Sequence, residues 1–159
     1  MLFRSETGIR ASELCNLSMS DYNQKQGRLH IRHGKGDKER VVFISDTCKR
    51  HLWRYLATRP EAKPADPLFA TGNNTHMERD TLFKMVRSTA ERAGVHHAFI
   101  HKFRHTFAIN FLRNGGNVIE LQSMLGHERL DTIRIYVKLA EVDLANAQRR
   151  ASVADNWRL

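Results

Sequence analysis

The chain has 159 residues, 41% of them hydrophobic, enough for one sizeable core but a poor supply for two separate domains. Lys and Arg number 26 against 17 Asp and Glu, a formal charge of +9 that favours a polyanionic partner, because each neutralised phosphate releases condensed counterions. Two distant thiols, Cys15 and Cys48, argue against a disulfide scaffold and for a reducing compartment; with no signal-peptide apolar region and no run of membrane-span length, the expectation is a cytoplasmic protein without a membrane partner.

Along the chain, Ala11, Leu14 and Leu17 recur at three-residue intervals after the Thr7-Gly8 break and predict a short helix over 10–17. Two strands follow, Leu29 to Arg32 and Arg40 to Ile44, with the turn residues Gly34-Lys35-Gly36-Asp37-Lys38 between them. Ser45 or Asp46 caps a helix with the stripe Cys48, Leu52, Tyr55 and Leu56, and Pro60, Pro64 and Pro67 break the pattern beyond it. Asp80 is placed as the cap of a helix with apolar face Leu82, Met85, Val86, Thr89 and Ala93, ending at Gly94. Further helices are predicted over 101–112 and 118–125, the first ended by Gly115-Gly116 and the second by Gly126; another, capped by Asp131, contains Tyr136, and a last one spans 141–150. The expected fold is α+β, mostly helical, with one small antiparallel β-sheet near its start.

Several polar side chains stand where they could do chemistry. On a helix His101 and Arg104 are i and i+3, so an imidazole and a guanidinium rise from one face and are expected to point outward, while Phe103 and Phe107 turn to the core. Arg10 follows a turn, with Glu13 at i+3 able to orient it; an ordinary intrahelical ion pair is the plainer alternative. Lys35 sits between two glycines that allow close backbone approach, with Lys38 and Arg40 competing for any phosphate role, and each is equally a solvated cation by spacing alone. Gly126 permits a sharp turn that presents His127, and Tyr136 reads either as a phenol nucleophile or as a packing aromatic flanked by Ile135 and Val137. His96, His97, His101 and His105 lack the paired cysteines or His-Glu-x-x-His spacing of a metal site, and Gly34-Lys35-Gly36 lacks the spacing of a nucleotide phosphate loop.

As an ordered set, Thr7-Gly8-Ile9-Arg10-Ala11-Ser12-Glu13-Leu14, Gly34-Lys35-Gly36-Asp37-Lys38-Glu39-Arg40, His101-Lys102-Phe103-Arg104-His105-Thr106-Phe107-Ala108, Leu125-Gly126-His127 and Tyr136 resemble the catalytic domain of the tyrosine recombinases, or phage integrase family. The resemblance covers nearly the whole chain and implies a DNA breaking-rejoining enzyme. In it Arg10 and Arg104 would hold the non-bridging oxygens of a scissile phosphate, with His101 and His127 completing the cradle. Lys35 would be the general acid for the leaving 5′ hydroxyl, Glu13 would position the first arginine, and Tyr136 would attack to form a 3′-phosphotyrosine link. Lys38, Arg40, Lys102 and His105 are candidate DNA contacts. No metal or other cofactor is expected, since the covalent link conserves the phosphodiester energy. Ile100 stands where a proline is common in the family, a change expected to affect the approach to the helix.

The resemblance further implies double-stranded DNA carrying recombination sites as partner, with a homotetramer assembled on it and a monomer in isolation. Residues 1–159 are read as the catalytic domain, lacking an amino-terminal DNA-clamping domain, and 141–159 as a subunit-exchange tail. Competing readings are a type IB topoisomerase-like DNA relaxer, a noncatalytic DNA-binding remnant and a basic helical scaffold with a protein partner; loss of salt-dependent DNA binding would favour the last.

Overall fold

A first short helix, α1 (Leu2–Thr7), runs into a tight turn at Gly8, and α2 (Ala11–Asn16) begins directly after Arg10, which serves as its N-cap in extended conformation. The computed structural model describes residues 2–32, 39–126, 136–137 and 152. Gly8 has φ +62°, and a Cβ on it would lie 2.3 Å from Phe107 Cδ1 and 2.8 Å from Leu125 Cδ2, so the turn is open only to a residue without a side chain. That close approach sets the first arginine beside α5 (Ile100–Arg113) and α6 (Val118–Leu125).

After a 3-10 turn at Met19–Asp21, three antiparallel strands form among the described residues in the order β1 (Tyr22–Asn23), β2 (Arg28–Ile31), β3 (Arg40–Phe43). Opposed residues share a face, so the pairs Leu29↔Val42 and Ile31↔Arg40 put Arg40 on the face that buries Leu29, Ile31 and Val42. The predicted pair of strands is present, with β1 as an unanticipated third. It has two residues and too little sequence for a period-2 signal, and it is held by the pairs Tyr22↔Leu29 and Asn23↔Arg28.

Helix α3 (Asp46–Leu56) is capped by Ser45, whose Oγ accepts from Cys48 N at 3.3 Å, and buries Cys48 and Leu52 as its stripe predicts. Beyond it Arg59 holds the proline-broken stretch: its guanidinium donates to Pro67 O at 2.9 Å, Leu68 O at 3.1 Å and Asn74 Oδ1 at 2.8 Å. Glu78 occupies the N-cap position of helix α4 (Arg79–Arg92) without a side-chain capping hydrogen bond, so Asp80 lies in the first turn and is not the cap. Only Leu82 and Val86 of its expected apolar face are buried; Met85, Thr89 and Ala93 are exposed, because α4 touches its neighbours along a narrower stripe.

Among the described residues three apolar clusters result. One lies between the sheet, α1 and α3; one joins α2, α4 and the start of α5; the third packs α5 on α6 around Phe107, Leu121 and Leu125, with Tyr136 buried against it. Ile100 is the first residue of α5, fully buried, so it anchors the entry to that helix. The two thiols are free, buried and in different clusters. Among the described residues no helix is long and apolar enough to cross a membrane. The predicted helix over 141–150 lies outside the described residues.

Candidate active site

The last carbonyls of a helix have no intrahelical donor and carry the negative end of its dipole. At the end of α6 three consecutive carbonyls are each taken by a guanidinium from a different element. Met124 O accepts from Arg40 Nε at 2.8 Å, Leu125 O from Arg104 Nη2 at 2.7 Å, and Gly126 O from Arg10 Nη2 at 3.0 Å. Gly126 closes the helix in the left-handed conformation at φ 63°, and a Cβ there would press on Arg40 at 3.3 Å. The turn at Gly126 is therefore held by arginines that are far apart in the chain.

Glu13 joins two of them. Its Oε1 accepts from Arg10 Nη1 at 2.8 Å and Arg40 Nη1 at 2.9 Å, and its Oε2 from Arg40 Nη2 at 2.7 Å and the Arg10 backbone N at 2.7 Å. Burial pushes this carboxyl upward, but the hydrogen bonds and charge of Arg40, with the backbone and side chain of Arg10, outweigh it and hold the pKa at about 2. Glu13 is thus ionised at every working pH, and the i,i+3 spacing read in the sequence does orient Arg10.

Arg104 is buried, and this corrects the expectation that His101 and Arg104 both face outward. Its Nη1 donates to Gly8 O at 2.7 Å while Nη2 holds Leu125 O, so the side chain crosses from α5 to the α1–α2 turn and the end of α6. Helical spacing gives the face of a residue but not what packs against it. Burial, reinforced by the charge of Arg10, lowers the Arg104 pKa to about 10, where it remains a cation at neutral pH. The site therefore gathers Arg10, Arg40 and Arg104 around a single carboxylate, and an anion would relieve the imbalance.

Tyr136 is 5% exposed, with its ring 5.4 Å from that of His105. Burial raises its pKa above the ordinary 10, against the opposing charge of Arg104, so the phenol is protonated at neutral pH. His101 is exposed at the start of α5, and its pKa is lowered by what burial it has and then by Arg4, His105, Arg79 and Arg104. Lys102 is exposed as well, with Nζ 5.6 Å from the centroid of the Phe99 ring.

The structure thus brings Arg10, Glu13, Arg104 and Tyr136 to one region around the end of α6, with His101 at the mouth of α5. Lys35, Lys38 and His127 lie outside the described residues. Arg40, expected among outward DNA contacts, faces inward. His105, expected there too, is exposed but packs beside Tyr136, a neighbour that depends on how the tyrosine docks on α5 and has no local sequence signal. Among the described residues no group of three or more His, Cys, Asp or Glu side chains could hold a metal ion.

Residues 1–142 match the model of the phage integrase family, and the chain belongs to that family. Its fold is that of the tyrosine recombinase catalytic domain. It is 33% identical over 153 residues to the tyrosine recombinase XerA of Pyrococcus furiosus, covering 94% of this chain and 52% of that protein. It is 34% identical over 146 residues to XerC of Corynebacterium efficiens, covering 91% and 47%. The chain spans about half the length of these curated relatives. Among solved structures, a XerA recombinase superposes with TM-score 0.77 at 33% identity, covering 98% of this chain and 55% of that one. XerH bound to a palindromic difH substrate in a post-cleavage complex superposes with TM-score 0.72 at 27% identity, covering 97% and 44%.

Proposed function

We propose that this chain is the catalytic domain of a site-specific DNA recombinase that cleaves and rejoins strands by transesterification at Tyr136. Arg10 and Arg104 bind the non-bridging oxygens of the scissile phosphate, aided by His101 and His127. The Tyr136 oxygen attacks phosphorus, the bond to the 5′ oxygen breaks, and Lys35 protonates that oxygen, leaving a 3′-phosphotyrosine ester. A 5′ hydroxyl from a partner strand then reverses the step. Attack adds negative charge to the equatorial oxygens, and fixed guanidinium groups stabilise that charge more than they stabilise the resting diester. Glu13 holds Arg10 in place for this task.

The observation that carries the reading is the guanidinium cluster on the α6 carbonyls, with Tyr136 buried close enough to Arg104 for that charge to oppose the rise that burial gives its pKa. With its pKa raised, the phenol gives up its proton to water as its oxygen attacks, in the field of these cations. Support also comes from the XerH complex, described as post-cleavage on its difH substrate.

By the same reading the protein acts in the cytoplasm, its partner is double-stranded DNA with recombination sites, the working assembly is a homotetramer, and residues 141–159 dock on a neighbouring subunit. The test is incubation with a pool of nicked duplexes randomised in sequence around the nick, followed by mass-spectrometric mapping of the DNA-linked peptide. A link at Tyr136 is expected; a link at another residue, or DNA binding with no link at all, would overturn the reading.

A further inference from the structure

Arg40 uses every part of its guanidinium inside the protein. Nε donates to Met124 O at 2.8 Å, and the two terminal nitrogens take the two oxygens of Glu13 at 2.9 and 2.7 Å. Its side chain is 9% exposed, the strand register aims it inward, and the Gly126 turn lies so close that a Cβ there would press on it at 3.3 Å. Nothing in this geometry suits a phosphate contact. Everything in it connects three elements: β3, which follows residues 33–38 in the chain; α2, whose N-cap is Arg10; and the end of α6, which precedes His127 in the chain.

We propose that Arg40 is a positioning residue for the strand-transfer step, acting through Glu13 and the α6 terminus to set Arg10 and the Gly126 turn, and not a contact to DNA. The inference rests on the reading of Tyr136 as nucleophile. A bidentate pair fixes the carboxylate in its plane as well as in place, and this is what leaves Glu13 free to hold Arg10 by both backbone and side chain. A lysine cannot reproduce it, having one point of charge and no fork.

Glu13 is faced by Arg10 from the start of α2 and Arg40 from β3, with Arg4 of α1 and Arg104 of α5 within electrostatic reach. Asp21, His30 and Arg32 line the same outer cleft that ends on it. Removing Arg40 leaves a buried carboxylate with one direct partner, so its proton affinity rises and a new acid limb enters the pH–rate profile.

The test measures the rate of covalent adduct formation at saturating nicked duplex, selected from the randomised pool with the unaltered protein, together with affinity for that duplex and its salt dependence. Arg40→Gln should slow adduct formation about tenfold to a hundredfold at unchanged affinity and salt slope, the scale of loss when reacting groups are misplaced by an ångström. The new acid limb should vanish in the double variant Glu13→Gln, Arg40→Gln. Arg40→Lys should be slow as well, and it carries the test if the glutamine variant does not fold. Weakened binding with a normal rate at saturation, or a normal rate and normal binding, would overturn the proposal. Failure of the unaltered protein to form any adduct would instead sink the assignment of Tyr136, and this inference with it.

Discussion

Arg104 and Arg10 hold adjacent carbonyls of one helix end, Leu125 O at 2.7 Å and Gly126 O at 3.0 Å, although one lies in α5 and the other is the N-cap of α2. The two guanidinium groups are thereby fixed relative to each other by a common backbone turn, which is the preorganisation that charge stabilisation requires. Arg104→Lys keeps the charge but cannot hold Gly8 O and Leu125 O while also meeting a phosphate oxygen. Adduct formation should fall by about 10²–10³-fold, the scale for loss of one preorganised donor, with DNA affinity changing far less.

Gly8→Ala tests the close approach that seats Arg10. The new methyl would need a positive φ and would collide with Phe107 and Leu125, so unfolding stability should fall by about 3 kcal/mol, measured by urea titration. Stability within half a kcal/mol of the unaltered protein would contradict the packing described for this turn.

Glu13 gives the fold a pH dependence of known sign. Its folded pKa of about 2 lies below the ordinary 4.5, so its contribution is complete above 4.5 and is lost as pH falls from there toward 2. The loss should be on the order of 3 kcal/mol across that window, screened by partial exposure of Arg10. Glu13→Gln should be less stable at neutral pH and should show a flatter acid limb; an unchanged slope in that range would contradict the carboxylate's assigned partners.

Both cysteines should resist thiol reagents in the folded state. Burial raises the Cys15 pKa, and burial with the charge of Glu6 raises that of Cys48 to about 11, so little thiolate exists at neutral pH. Labelling of either thiol should track global unfolding in denaturant. Rapid labelling of native protein would mean that the clusters around α2 or α3 open locally.

Much of this organisation was legible from residues alone. The i,i+3 relation of Arg10 and Glu13, the turn glycines and the 3.6-residue stripes of α3 and α5 each follow from short-range geometry. Arg40 carried a signal as well: in Arg40-Val41-Val42 a strand alternates, so a buried Val42 places Arg40 on the buried face. The charge of the residue argued for solvent and hid that periodicity. The inward turn of Arg104 and the contact of His105 with Tyr136 had no local trace, because each depends on which element docks against α5. The same holds for β1, whose two residues are strand only because β2 pairs with them.

The most direct measurement compares Tyr136→Phe with the unaltered protein on a nicked duplex that traps the covalent product. The variant, which keeps the buried ring against His105 and the α5–α6 cluster, should bind the duplex with the same affinity and salt dependence and form no adduct. An adduct of undiminished yield would mean that another group attacks phosphorus, and the arrangement around the α6 terminus would have to serve a different end.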